Sequence, residues 1–120
     1  MRVLVIGDSC EDRFVYGDAK RLSPEAPVPI LESQRTETSK GMAWNVFNNL
    51  LAFGIETHML TNAEQIVKTR YIDEKSNYQI LRVDDEPKIK PLTDVVSNNN
   101  YDTLVISDYD KGFITQEKLF

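Results

Sequence analysis

Cysteine is nearly missing from this sequence. The single Cys10 among 120 residues excludes an internal disulfide and a cysteine-based zinc site, so a reducing cytoplasm is the simplest expected compartment. Histidine is just as scarce. His58 stands alone inside an apolar-leaning stretch with no cysteine near it, which favours a structural role over catalysis or metal ligation. Long apolar runs are absent: Val3-Leu4-Val5-Ile6 falls far short of the ~18–20 residues a membrane span needs and is too short for a signal peptide. Basic charge is in deficit, with 14 Lys+Arg against 19 Asp+Glu and a net charge of −5, which argues against nonspecific nucleic-acid binding. Neither a Gly-x-Gly-x-x-Gly fingerprint nor a Gly-Lys-Ser/Thr phosphate loop occurs, so a nicotinamide-type dinucleotide domain is disfavoured. What is present is ordinary globular material: 41% hydrophobic and 28% charged residues, enough for one domain.

Residues 3–6 form a short all-apolar run closed by Gly7-Asp8. That pattern predicts a buried parallel strand whose carboxyl end is the Gly-Asp turn. Residues 13–33 show no helical period. Phe14-Val15-Tyr16 is β-prone, Gly17-Asp18 predicts a turn, and Pro27 and Pro29 place a strand over 28–32 at a sheet edge. A helix is expected over 42–53, where Ala43, Val46, Phe47, Leu50 and Leu51 recur at helical spacing and Gly54 supplies the stop. Strands are expected at 55–61 and 103–107, the latter repeating the buried-strand signature and ending in Ser107-Asp108. Residues 66–73 and 78–84 predict an antiparallel pair around the turn 74–77. Thr115 offers the cap of a final helix with Glu117 in its first turn. This order is βαβ-like, with a mostly extended excursion standing off the main sheet.

In open α/β sheets ligands bind beyond the carboxyl ends of the strands, which directs attention to three constellations. Gly7-Asp8 with Asp12 offers carboxylates that accept sugar hydroxyls, or equally a turn aspartate satisfying backbone amides. Ser39-Lys40-Gly41-Met42-Ala43-Trp44-Asn45 opens the expected helix. Gly41 permits close backbone approach, and Asn45 provides a donor and an acceptor; the plain alternative is a helix-start glycine beside a surface asparagine. Asp108-Tyr109-Asp110-Lys111-Gly112 sets a lysine, a point charge for phosphate, among acids, or else is a solvated loop of self-neutralising charge. Trp44 and Phe47 offer a stacking surface or simple packing. Cys10, expected in a loop, has no neighbouring histidine to activate it.

Taken together, these stretches resemble one family. Gly7-Asp8 with Asp12-Arg13, Tyr16-Gly17-Asp18 and the long run Arg21-Leu22-Ser23-Pro24-Glu25-Ala26-Pro27-Val28-Pro29 resemble the amino-terminal signature of ribokinase-like carbohydrate kinases. The similarity is greatest to the D-glycero-D-manno-heptose-7-phosphate kinase branch, the kinase half of ADP-heptose synthesis. Gly41-x-Ala43-x-Asn45 through Gly54 resembles the sugar-site helix of that family. Lys68-Thr69-Arg70, Leu81-Arg82-Val83-Asp84 and Ser107-Asp108-Tyr109-x-Lys111-Gly112 resemble its later segments.

The resemblance implies an α/β fold, a partial ribokinase-like doubly wound sheet with a small β lid over about 13–33 and 66–85. Residues 1–120 would form the N-terminal part of that domain. It implies substrate contacts from Asp12, Gly41, Asn45, Asp108 and Lys111, a sugar or sugar-phosphate substrate, and ATP with Mg²⁺ as phosphoryl donor and counterion. A homodimer through the lid is a further implication, with no nucleic-acid or membrane partner. Three departures stand out. Met42 replaces a family glycine, Trp44 replaces a small residue, and the connection from Thr61 to Ile66 is short. The family's Gly-Ala-Gly-Asp segment, which supplies the general base, does not occur, so no catalytic residue is assigned and the base is expected beyond Phe120. The expectation is a substrate-binding portion that does not turn over ATP alone. A non-catalytic sugar-binding module and a lid-mediated oligomerisation module are the alternatives.

Overall fold

The computed structural model describes residues 1–93 and 100–115. The described chain forms two compact units, one of Met1–Cys10, Lys40–Ile66 and Glu86 onward, the other of Glu11–Ser39 and Val67–Asp85.

The first unit is a partial α/β fold. Its parallel sheet has β1 (Arg2–Gly7) at the centre, β4 (Glu56–Thr61) on one side and β7 (Thr103–Ser107) on the other. The register is in step across all three strands, so Gly7 lies opposite both Thr61 and Ser107 at their carboxyl ends. A central parallel strand is covered on both faces, which explains the unbroken apolar run of β1. Val3 and Val5 face a cluster with Ala43, against which Val46, Leu50, Met59 and Val105 pack. Leu4 and Ile6 face the opposite cluster with Cys10, Met42, Ile66, Ile89, Leu92, Phe113 and Ile114.

The helix α1 (Ala43–Ala52) supplies the first of those layers. It ends as Gly54 predicted: Gly54 has φ +76°, its N–H donates to Leu51 O, and the Ile55 N–H reaches back to Leu50 O, the paired bonds of a Schellman stop. Its apolar stripe is narrower than the periodicity suggested, since Leu51 and Phe53 are exposed. The start also differs from expectation. Ser39, Lys40 and Gly41 lie at the end of a strand, and α1 begins only at Ala43. Met42 takes φ +59° there, a backbone region normally left to glycine, and its buried side chain joins the core.

The second unit contains a four-stranded sheet in the order β3 (Pro29–Met42), β2 (Ser9–Leu22), β5 (Val67–Asp73), β6 (Tyr78–Asp85). Pro29 thus begins an edge strand, as the prolines required. β2 and β5 run parallel, and β5 and β6 form the predicted antiparallel pair. The turn expected at Gly17-Asp18 is not formed, because both residues lie within β2. Gly17 serves close packing of strands instead: a Cβ there would sit 2.6 Å from Glu32 O and 2.8 Å from the Leu31 side chain. A β-bulge between Tyr71 and Ile72 breaks the expected alternation, and the buried polar and apolar positions of β5 become Thr69 and Ile72. Cys10, expected in a loop, is a buried residue of β2. The helix expected after Thr115 lies outside the described residues.

Candidate functional site

At the carboxyl end of β1 the chain needs glycine. A Cβ on Gly7 would fall 2.0 Å from Ser107 O, so β1 and β7 approach as they do only because that position is bare. The next residue, Asp8, is fully buried. A buried carboxylate is tolerated only when its oxygens are satisfied, and here each oxygen accepts from the main chain. Oδ2 accepts from the Tyr109 N–H at 2.8 Å and Oδ1 from the Phe113 N–H at 3.2 Å. Its carbonyl accepts from the Ala43 N–H at 2.9 Å, at the strained entry to α1. Of the two roles open to Asp8 in the sequence, the geometry displays the amide-satisfying one. It anchors the 41–45 segment and the 108–113 loop to one sheet end.

A second polar cluster flanks this anchor. The Asn62 carboxamide accepts from the Ser9 N–H at 2.8 Å and donates to Glu64 O at 2.6 Å. The Thr61 hydroxyl donates to Gly7 O at 2.7 Å. Asn62 occupies the third strand end, equivalent to Gly7-Asp8 and Ser107-Asp108. The signal for it in the sequence is Thr61-Asn62 closing the strand expected over 55–61.

Of the expected substrate residues, Gly41, Asn45, Asp108 and Lys111 belong to this unit. Gly41 is buried and Asn45 exposed. Asp108 is exposed, and its Oδ1 accepts from the Asp110 N–H at 2.8 Å. This local bond holds the loop while Asp110 and Gly112 take φ +58° and +99°. Lys111 is half-buried, and its Nζ pairs with Glu86 Oε1 at 2.8 Å. Both line a cavity of about 450 Å³ together with Ile66, Ile89, Pro91 and Gly112. Glu86 carried no local sequence signal, since its partner is 25 positions away. Asp12 belongs to the second unit, where its carboxylate pairs with Arg70 Nη1 at 2.9 Å and the Arg70 guanidinium lies over the Phe14 ring.

Two groups of the second unit have perturbed ionisation. Arg35 is raised further above its ordinary range, chiefly by hydrogen bonding to Glu74 and then to Glu37. Asp73 is lowered, first by the Ser76 hydroxyl and then by the Ala19 amide. No group of three or more His, Cys, Asp or Glu placed to hold a metal ion occurs among the described residues. No helix among them is long and apolar enough to cross a membrane.

No family model matches the chain. Curated relatives do. The bifunctional protein HldE of a Nitratiruptor species is 37% identical over 97% of this chain and 32% of its own length. HldE of Helicobacter acinonychis is 35% identical over 94% of this chain and 32% of its own, and HldE of Sulfurimonas denitrificans is 34% identical over 97% and 32%. Among solved structures, a carbohydrate kinase from Agrobacterium tumefaciens matches 71% of this chain and 35% of its own at 12% identity and a TM-score of 0.39. A nucleoside kinase from Burkholderia thailandensis matches 70% and 39%, at 12% identity and 0.33. The chain spans about a third of the length of the curated relatives it matches, and over nearly all of its own length its sequence is similar to HldE proteins.

Proposed function

We propose that the chain is the substrate-binding portion of an ATP-dependent carbohydrate kinase acting on a sugar phosphate, a heptose 7-phosphate by its resemblance. The observation that carries this reading is the sequence likeness to HldE proteins across nearly the whole chain. The geometry supports it, because Asp8 fixes the 41–45 segment and the 108–113 loop to one strand-end surface, where open α/β sheets bind ligands. Asp12, Gly41, Asn45, Asp108 and Lys111 are the proposed substrate contacts. The carboxylates accept from sugar hydroxyls, and Asn45 both donates and accepts. The segments 13–33 and 66–85 are proposed as the lid, and the concentration of all of them but Ile66 in one compact unit supports that role. The exposed edge strand β6, with Tyr78, Leu81 and Val83, supports a lid-mediated homodimer. A cytoplasmic location completes the proposal.

The residues do not by themselves provide for the phosphoryl donor. They contain no Gly-Ala-Gly-Asp segment and, where described, no grouped metal ligands, so no step is assigned through ATP or Mg²⁺ in this chain. Calorimetric titration with heptose 7-phosphate tests the reading. Binding is expected, and Asp12→Ala and Asn45→Ala should each weaken it roughly tenfold, the scale of one lost hydrogen bond to a charged group. Absence of binding would remove the sugar-phosphate reading. A steady ATP-dependent phosphorylation rate that Asp12→Ala abolishes would overturn the expected inactivity of the isolated chain. A dimer by light scattering that is indifferent to every sugar would favour the oligomerisation module.

A further inference from the structure

One cation beside the proposed sugar contacts is held by an aromatic ring rather than by a carboxylate. Arg2, Arg13, Arg21, Arg70 and Lys111 each pair with a carboxylate. Lys40 is exposed and instead rests on an aromatic ring, its Nζ 4.2 Å from the Trp44 centroid. Trp44 is itself braced edge-to-face by Phe47, with centroids 5.3 Å apart. Among the described residues no carboxylate forms an ion pair with Lys40, and the first turn of α1 contains no acid. An indole face attracts an ammonium without neutralising it, so a full positive charge remains available to a ligand. The stack also restrains a four-carbon side chain that would otherwise lose rotamer freedom when a ligand ordered it. Lys40 directly precedes Gly41, and Trp44 directly precedes Asn45.

We propose that Lys40, steadied on Trp44, contacts the phosphate of a phosphorylated sugar and so selects sugar phosphate over free sugar. The assignment rests on the reading of Gly41 and Asn45 as sugar contacts. A lysine ammonium is a compact point charge suited to a phosphate dianion, and charge-assisted hydrogen bonds are the strong ones. The free sugar offers this ammonium no anion, so the pair discriminates by what it gains from one ligand only.

Trp44 is the single tryptophan, so its emission reports on the pair directly. The full chain is titrated with heptose 7-phosphate, with the same heptose lacking phosphate, and with inorganic phosphate, following Trp44 emission and heat. The phosphorylated sugar should change the emission, and Lys40→Met should weaken its binding roughly tenfold while leaving the free sugar unchanged. Lys40→Arg should retain the preference, and Trp44→Ala, which loses the stack but keeps the charge, should retain part of it. If Lys40→Met binds the sugar phosphate as tightly as the parent while Asn45→Ala weakens both sugars, the Lys40 assignment is overturned and the sugar site stands. If neither sugar binds but inorganic phosphate still shifts the emission in a Lys40-dependent way, the sugar reading falls and the phosphate contact is supported. Silence with all three ligands overturns both.

Discussion

In the first unit β1 buries Val3, Leu4, Val5 and Ile6, and helix, loop and strand residues close over them on both faces. In the second, the buried apolar side chains are Val15 and Ile72, and β6 leaves Tyr78, Leu81 and Val83 exposed. The second unit is laced instead by ion pairs at its surface, among them Arg21–Glu32, Arg35–Glu74 and Arg82–Asp84. Exposed pairs of this kind contribute about 0–1 kcal/mol each, whereas a buried leucine-sized side chain contributes about 1.5–3 kcal/mol. The α/β unit therefore has a core of its own, and the β unit relies on its hydrogen-bonded ladders. A segment with few buried apolar contacts opens at low free-energy cost. That property suits the proposed lid, which must admit and release a ligand.

The difference can be broken most forcefully from the side of the first unit. Asp8→Ala would remove the acceptor of two main-chain amides, one of them the buried Phe113 N–H. The expected loss is roughly 3–5 kcal/mol, from charge-assisted bonds withdrawn and buried donors left unsatisfied. Chemical denaturation should show a large fall in midpoint, with amide exchange accelerated at 109 and 113. A loss no larger than that of a surface substitution would show that the two strand-end segments are held by something other than Asp8.

Met42→Gly sets two effects against each other. Glycine relieves a φ of +59°, worth about 1–3 kcal/mol. It also empties a core position that is 6% exposed, and truncating a buried methionine even to alanine costs about 2–5 kcal/mol. The second effect is the larger, so a net destabilisation of about 1–2 kcal/mol is expected by denaturant titration. A stabilised variant would mean that Met42 is a strained intruder rather than part of the core. In the second unit, Arg70→Met breaks the pair with Asp12, in which each side chain is about a fifth exposed. About 1 kcal/mol should be lost, read as faster amide exchange along β5 with little change in β1.

The sequence exposed most of the first unit because its signals are local. An all-apolar run closed by Gly-Asp became the covered parallel strand β1, whereas the similar run closed by Ser-Asp became β7, which is parallel but leaves Leu104 and Ile106 exposed; Gly54 stops α1 through bonds made within five residues. The antiparallel pair β5 and β6 was legible for the same reason, through the turn 74–77. The extent of β3 was hidden, because residues 34–40 are polar throughout and an edge strand need not alternate. Gly17 read as a turn residue because the Leu31 and Glu32 atoms that exclude a side chain there belong to another strand. The candidate site was proposed from residue types at strand ends. Its organiser was not, since Asp8 acts on amides 101 and 105 positions away, and the Glu86 partner of Lys111 is likewise remote.

The smallest expected effect sharpens the comparison by pH. Asp73 closes β5, its Oδ2 accepting from the Ser76 hydroxyl at 2.6 Å and its Oδ1 from the Ala19 N–H at 3.2 Å. These bonds favour the ionised form, led by the Ser76 hydroxyl, and hold the carboxyl below the usual aspartate range. A folded-state pKa below the unfolded one stabilises the fold at pH values above the unfolded pKa. That contribution declines as pH falls through the unfolded value toward the folded one, and is gone below both. Between about pH 5 and pH 3, spanning the ordinary aspartate range, the protection of the amides at 19 and 76, measured against the intrinsic exchange rate at each pH, should therefore fall more than that of β1 amides, which lie in a strand covered on both faces. Asp73→Asn should abolish that acid sensitivity while leaving the first unit untouched. Equal loss of protection in both units would show that they open together, and that the poorer core of the β unit does not translate into independent opening.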